Sequence, residues 1–308
     1  MSHVAVMSGE VVHYLLYSGS RVVLDGTVGC GGHSRAILAA DPAVRLVGVD
    51  TDAEALSEAA RELEPFGSRV RLIKASYTEL PTISAVWGRL DGALLDLGLS
   101  SLQLDAPERG FSYSKDGPLD MRMSSDGLTA AAFIGGMSEM ALADILRRFG
   151  EVTGASRIAR AIKAASSDAR LQTTGDLKRA VEAALGAKPS PALLSKVFQA
   201  VRIALNGELE SIGDFLDTIL AYVNPGARLV FIAYHSLEDS AVKSFLKRES
   251  SDCVCPPRTP VCVCGHRAAL EILTRRIVKP SESEVAVNPR ARSARLRAAR
   301  VLGPGSAN

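Results

Sequence analysis

Residues 22–34 read VVLDGTVGCGGHS, a short apolar stretch that ends in Asp25 and runs directly into a loop carrying Gly26, Gly29, Gly31 and Gly32. Glycine lets the main chain turn sharply and approach a ligand closely, so the segment has the form of a nucleotide-cofactor loop at the end of a first β-strand. The acid restricts which cofactor. A dinucleotide lays a pyrophosphate over such a loop, and a carboxylate at the strand end repels it. S-adenosylmethionine has no phosphate but carries an ammonium and a sulfonium, which a carboxylate attracts. Asp25, and the lack of G-x-G-x-x-G spacing, therefore point away from a nicotinamide-dependent oxidoreductase and toward a methyltransferase. A glycine cluster alone also reads as an ordinary tight turn, so the argument depends on what accompanies it.

Strand and helix signals alternate over the first hundred residues. Residues 21–25, 45–50, 70–74 and 90–97 read as strands, and 33–40 and 53–63 as helices, with a weaker helix before the fourth strand. Such alternation means βαβ units and a parallel sheet covered on both faces, an α/β, Rossmann-like core. The pattern then changes. Residues 139–149, 156–165, 174–185 and 191–205 look helical and no convincing strand interrupts them, with Thr174 a candidate N-cap and Pro191 in a first helical turn. We expect a first core segment over 1–105, an inserted all-helical substrate-recognition domain over 106–205, and a second core segment over 206–308. In that last segment 209–223 is amphipathic, Pro225-Gly226 reads as a turn, 228–234 as a strand and 236–247 as a helix, and 270–278 and 294–301 are candidates for closing antiparallel strands.

Three acids fall at strand ends. Asp50 ends the second strand, 18 residues beyond Gly32, where an acid accepts hydrogen bonds from ribose hydroxyls. It could equally cap the next helix, a role open to Asp52. Asp96 ends the apolar run LDGALLD and faces the same crevice, able to touch both the cofactor and the atom being modified, unless it too is a helix cap. Gln103 offers a donor and an acceptor that could read an adenine edge. In YHSLEDS, residues 234–240, His235 is a candidate base or phosphate contact, while the following residues also read as a capped helix start. Cys253, Cys255, Cys262 and Cys264 form CVCPPRTPVCVC, with His266 two residues on. Clustered cysteines in a reducing compartment suggest a metal knuckle rather than disulfides, yet C-x-C is shorter than the usual chelating step, so the expectation is a reduced, proline-stiffened loop with no metal. Cys30 reads as a small filler.

With 308 residues, 47% of them hydrophobic, the chain can bury a large core. Its opening has no basic region followed by an apolar run, and nowhere do 18 apolar residues run consecutively, so we expect a cytoplasmic protein with no membrane contact. The net charge of +2 conceals an uneven distribution: residues 267–300 hold nine Lys or Arg against three acids. That suggests a polyanion contact, or else a solvated face. Aromatic content of 5% speaks against a stacking platform for single strands.

Taken with DLGLSSLQLD, RGFSY, PLDMRM, FQAVRIALNGEL, YHSLEDS and NPRARSARLR, in that order from HVAVM near the start to the basic end, the glycine loop resembles the ribosomal RNA small subunit methyltransferase H (RsmH, MraW) family over nearly the whole chain. The resemblance implies a class I S-adenosylmethionine-dependent methyltransferase core with a helical insertion, acting on the N4 amine of one cytosine in the decoding region of 16S rRNA. By motif it carries cofactor contacts onto Gly31, Gly32, His33, Asp50, Tyr77, Asp96 and Gln103, beside the Asp25 read above. Departures are Ala5 in place of a proline, and AYHSLEDS where the family reads SFHSLEDR, so that Ala233, Tyr234 and Ser240 differ. The implied chemistry is in-line displacement at the sulfonium methyl, governed by positioning, with Asp96 and then His235 as candidate catalytic residues. A cytosine amine in a stacked helix is out of reach, so the base must be flipped out. Arg109, Arg122, Arg290, Arg292 and Arg295 are the candidate phosphate contacts, and 16S rRNA, within the small ribosomal subunit, is the expected partner. A homodimer is compatible with the sequence. A non-catalytic assembly factor that binds rRNA is the competing reading, but the loop, Asp50 and Asp96 show no degradation.

Overall fold

The computed structural model describes residues 5–124, 126–256, 259 and 261–303; the first two residues of HVAVM and part of the proline-bearing cysteine loop lie outside that set. Two compact units form, one from Met1–Gly98 with Leu209–Asn308 and the other from Leu99–Glu208.

The first unit is built on apolar runs that do not alternate. β1 (Val22–Asp25), β2 (Arg45–Asp50) and β4 (Leu90–Asp96) are buried along almost their whole length, as strands covered on both faces must be. β3 (Val70–Lys74) is half-exposed at one edge. β5 (Val223–Ala233) completes the parallel set, and β6 (Leu270–Ile272) and β7 (Arg295–Val301) close the sheet antiparallel, giving the order β3-β2-β1-β4-β5-β7-β6. The helices of this unit are α1 (Ser8–Leu15), α2 (Gly32–Ala40), α3 (Ala53–Leu63) and α4 (Leu80–Trp87), followed after the second unit by α11 (Glu208–Thr218), α12 (Ser236–Glu249) and α13 (Glu282–Val287). Successive strand residues feed opposite cores. Val23, Leu94 and Val230 join Leu15 and Ile37 on one face, while Leu24, Leu95 and Phe231 join Phe215 and Phe245 on the other.

Pro225-Gly226 does not precede β5, as the sequence suggests, but lies inside it. The pairing with β4 jumps from Leu90↔Val223 to Gly92↔Arg228, and Gly226 takes φ 86°, so the dipeptide is absorbed as an irregularity of one continuous strand. The buried carboxylate of Asp91 accepts from the Arg21 and Val22 N–H groups, at 2.9 and 3.0 Å, and from Asn224 Nδ2 at 2.8 Å, tying the start of β1 to β4 and β5.

The second unit holds α5 (Ser101–Asp105), α6 (Ala130–Gly136), α7 (Glu139–Gly150), α8 (Ala155–Ser167), α9 (Thr174–Leu185) and α10 (Pro191–Asn206) around Leu142, Leu146, Ile158, Ile162, Leu177, Val181, Val197 and Val201. Thr174 is not the cap of α9. Thr173 is, in a reciprocal capping box with Asp176, while the Thr174 hydroxyl donates to the Lys115 carbonyl. Arg202 donates two hydrogen bonds of 2.8 Å to Glu208 across a nearly dry gap. The whole is a class I, Rossmann-like α/β core interrupted by an inserted helical domain. Among the described residues no helix is long and apolar enough to cross a membrane.

Two of the sequence strings lock together. Arg297 of NPRARSARLR donates to Asp239 of YHSLEDS at 2.6 and 3.1 Å, and Arg295 approaches the same carboxylate at 3.5 Å. Burial works to raise the Asp239 pKa, but the hydrogen bonds and charge of Arg297, with Arg295, outweigh it and hold the carboxyl below its ordinary value. A depressed acid contributes stability that is complete above its unfolded pKa of about 3.9 and is lost as pH falls through the folded value. Asp239→Asn should therefore lower the unfolding free energy at neutral pH by about 3 kcal/mol, by stranding Arg297. In denaturant titrations that deficit should shrink as pH falls below about 3.9; a deficit independent of pH would remove the ion pair as its source.

Candidate active site

The strand order places β1 between β2 and β4, so the chain leaves β1 in opposite directions along the sheet and a crevice opens at the carboxyl ends. The glycine loop turns there. Val28 N–H donates to the Val49 carbonyl and Gly29 N–H to Asp50 Oδ2 at 3.0 Å, which hold the loop against the end of β2. Gly31 has φ 88° and precedes α2, whose N-terminus has no side-chain cap, leaving its first amides available to an anion. Gly26 is glycine for lack of room: a Cβ there would lie 2.3 Å from Leu95 Cδ2 and 2.9 Å from Tyr77 Cβ.

Asp50 is not the cap of the next helix. Asp52 takes that role, accepting from Glu54 N–H, and Asp50 accepts from the Asp52 and Gly29 amides, with acceptor capacity remaining. Burial raises its pKa despite those bonds. Tyr77 packs its ring edge-on to Phe215, with centroids 5.6 Å apart.

Asp25, expected at the cofactor, has no exposed surface of its own and instead accepts from the Ser34 hydroxyl at 2.7 Å and Thr27 N–H at 3.3 Å. Burial raises its pKa, against the opposing charge of His33 and the hydrogen bonds of Ser34 and Thr27.

The carboxylate that does face the crevice is Asp96, with about a quarter of its side chain exposed. Its main-chain N–H donates to Thr27 Oγ1 at 2.7 Å, pinning the end of β4 to the glycine loop. Oδ2 lies 3.2 Å from His33 Nε2, and Oδ1 accepts from the Tyr234 hydroxyl at 2.9 Å. Burial pushes the His33 pKa down, but the hydrogen bond and charge of Asp96, with the charge of Asp25, outweigh it and the pKa is raised. Tyr234 is pushed far above the ordinary phenol range by burial and then by Asp96, so it remains a donor at any working pH. Asp96 is thus a carboxylate fixed by a donor on each oxygen. It can receive an N–H and hold its direction. Thr27 and Tyr234 were not singled out as site residues by the sequence; a hydroxyl inside the glycine loop was the only signal for the first, and the Phe-to-Tyr departure the only one for the second.

The remaining candidates have local duties. His235 is the N-cap of α12: its Nδ1 accepts from Glu238 N–H at 3.4 Å, its Nε2 lies 2.9 Å from Glu238 Oε1, and Glu238 in turn accepts from the Tyr234 and His235 amides. The ring therefore has a local capping duty through Nδ1, while its buried Nε2 makes no hydrogen bond within the protein. Gln103, within the helical unit, is the third residue of the α5 capping box, its Oε1 accepting from Ser100 N–H at 3.1 Å. Because Ser100 caps α5, Asp96 is free of that role. Arg109 donates to the carbonyls of Arg122 and Met123, and Arg122 is paired with Asp120 at 2.7 Å. Arg295 is turned toward Asp239, whereas Arg290 and Arg292 are exposed.

Residues 1–302 match the MraW methylase family. The chain belongs to that family. It is 46% identical to a protein of Syntrophotalea carbinolica named ribosomal RNA small subunit methyltransferase H, over 97% of this chain and 98% of the other. A protein of the same name from Solidesulfovibrio magneticus is 45% identical over 99% and 97%. This MraW-family chain is accordingly a methyltransferase, and its methyl donor is S-adenosylmethionine.

In this family member, nuclear magnetic resonance should find the His33 ring titrating above the ordinary 6.5. In Asp96→Asn the midpoint should fall below that value, because burial is then opposed only by Asp25 and more distant acids. An unmoved midpoint would mean that His33 and Asp96 are not in contact.

Proposed function

We propose that this chain transfers a methyl group from S-adenosylmethionine to the N4 amine of a cytosine in the decoding region of 16S rRNA, presented within the small ribosomal subunit. The observation that carries the reading is Asp96, a partly exposed carboxylate held by His33 and Tyr234 at the switch point of the sheet.

The chain's own groups fit the donor. The uncapped start of α2, with Gly31 and Gly32 bare of side chains, suits a carboxylate; Asp50 has acceptor capacity left for ribose hydroxyls; and the buried Nδ1 of His33 has no partner within the protein. Tyr77 flanks the loop at Gly26. The bound donor supplies an electrophilic methyl on sulfonium. The protein must then hold the cytosine amine in line with it and receive one proton, and a carboxylate clamped on both oxygens performs the orienting part without moving. Asp96 is the orienting acceptor and Tyr234 its positioning residue; His235 caps α12, and Glu238 holds the Tyr234 main chain by accepting its N–H.

The helical unit recognises the RNA in this reading, and Arg290 and Arg292, exposed on the first unit, grip phosphate. Arg109, Arg122 and Arg295, each engaged within the protein, contribute shape before charge.

The test is transfer of labelled methyl from S-adenosylmethionine to small subunits from cells lacking the gene, followed by nucleoside analysis. Label should appear in N4-methylcytidine; label confined to another nucleoside would overturn the assignment. Asp96→Ala should cut transfer by about 100-fold or more while sparing RNA affinity. Tyr234→Phe should lower kcat with KM for the donor nearly unchanged, and equal loss in both would give Tyr234 a binding role instead. Replacing Arg290 and Arg292 with Ala should flatten the dependence of log affinity on log salt by about one unit each, whereas an unaltered slope would release them from phosphate contact.

A further inference from the structure

The loop between α12 and β6 has no part in the methyl-transfer site. Its four cysteines are all free thiols, and their sulfurs all lie within 4.8 Å of one another. Cys253 Sγ is 3.4 Å from Cys262 Sγ and 3.8 Å from Cys264 Sγ; Cys262 Sγ is 3.5 Å from Cys264 Sγ and 4.0 Å from Cys255 Sγ. A tetrahedral ion with metal–sulfur bonds of about 2.3 Å requires sulfurs about 3.8 Å apart. The four separations bracket that value, and all are far too long for a disulfide of about 2.05 Å.

Three further observations point the same way. The sulfurs already receive main-chain donors, Val254 N–H onto Cys264 and Cys255 N–H onto Cys253, both at 3.4 Å, which is how ligating thiolates are oriented and their charge stabilised. The intervening valines turn outward: Val254 is 45% and Val263 83% exposed, so burial of these side chains cannot be what draws the two arms together. The loop is also fastened at its base, with Ala269 N–H donating to the Glu249 carbonyl at 2.7 Å and His266 Nε2 lying 3.0 Å from the Arg248 carbonyl, which presents the two C-x-C arms face to face.

We propose that Cys253, Cys255, Cys262 and Cys264 form a structural site for one thiophilic divalent ion, Zn²⁺ first, that clips the two arms of this loop. The closed donor set leaves no open position for substrate, so the ion's role is to fold the loop rather than to take part in methyl transfer. Binding replaces up to four thiol protons with one metal ion and involves no oxidation or reduction.

The test is the metal content of the full-length protein, purified reduced, without chelator and without a metal-binding tag. Elemental analysis should find about one equivalent of zinc per chain, a quantity that Cys30→Ser retains and a Cys253→Ser/Cys262→Ser double variant loses. In case that variant does not fold, wild-type protein stripped of metal and titrated with Co²⁺ should develop thiolate-to-cobalt charge-transfer and tetrahedral d–d bands that saturate at one equivalent. Wild-type protein with no more zinc than the double variant and no cobalt bands would overturn the site, as would cysteines isolated from the reduced preparation as disulfide-linked peptides.

Discussion

The candidate site depends on one piece of register, the parallel pairing of β1 with β4 through Val23↔Gly92 and Asp25↔Leu94. This is the place where strand order reverses, so both neighbours of the crevice are strand ends and neither is covered by a crossover. The register is over-determined. Asp91 ties β4 to the amides at the start of β1, Thr27 accepts the Asp96 amide at the other end, and between them Leu94 and Leu95 enter opposite cores. A slip of one residue would exchange those two leucines between faces and would carry the Asp96 side chain away from His33 and Tyr234. Packing of the sheet therefore sets the direction of the carboxylate.

Electrostatics at that edge follow from what is buried. Asp25 and His33 are both almost wholly out of water, and neither would keep its charge alone. His33 meets Asp96 directly and feels the charge of Asp25, and its raised pKa expresses the balance: desolvation opposes the proton while two acids favour it. As a group whose folded pKa lies above its unfolded one, His33 stabilises the fold at low pH and loses that contribution as pH rises through the raised value. Asp25 thus acts on this edge through the charge of His33 and the hydrogen bond from Ser34 at the head of α2.

The alternating elements of the core were legible because non-alternating apolar strands and amphipathic helices have distinct periods, and the acids at strand ends were legible because sequence position alone puts them at the crevice. What stayed hidden is partnership over long separations. Tyr234 meets Asp96 only after the helical unit has been inserted between them, and the basic count at the end of the chain, which read as a polyanion contact or else a solvated face, includes Arg297 and Arg295, turned onto Asp239 of a distant string. Burial was hidden as well: Asp25 and Asp50 occupy equivalent strand ends, yet one is sealed under the loop and the other is not. Near neighbours such as Thr174 and the Thr173 that caps in its place, or Asp50 and Asp52, differ by the local dihedral angles that decide which side chain turns back to cap, and composition carries no trace of those.

The cysteine loop shows the same limit from the opposite side. A C-x-C step is too short when both sulfurs must wrap one ion from a single turn, which is why the spacing argues against a site. The objection assumes that each pair acts within its own turn. Where two such arms face each other, each contributes a pair of sulfurs, and the four come within 4.8 Å of one another although neither pair could enclose an ion alone. Spacing rules for metal ligands are rules about one local backbone geometry, and a fold that brings two segments together from outside that geometry is not bound by them.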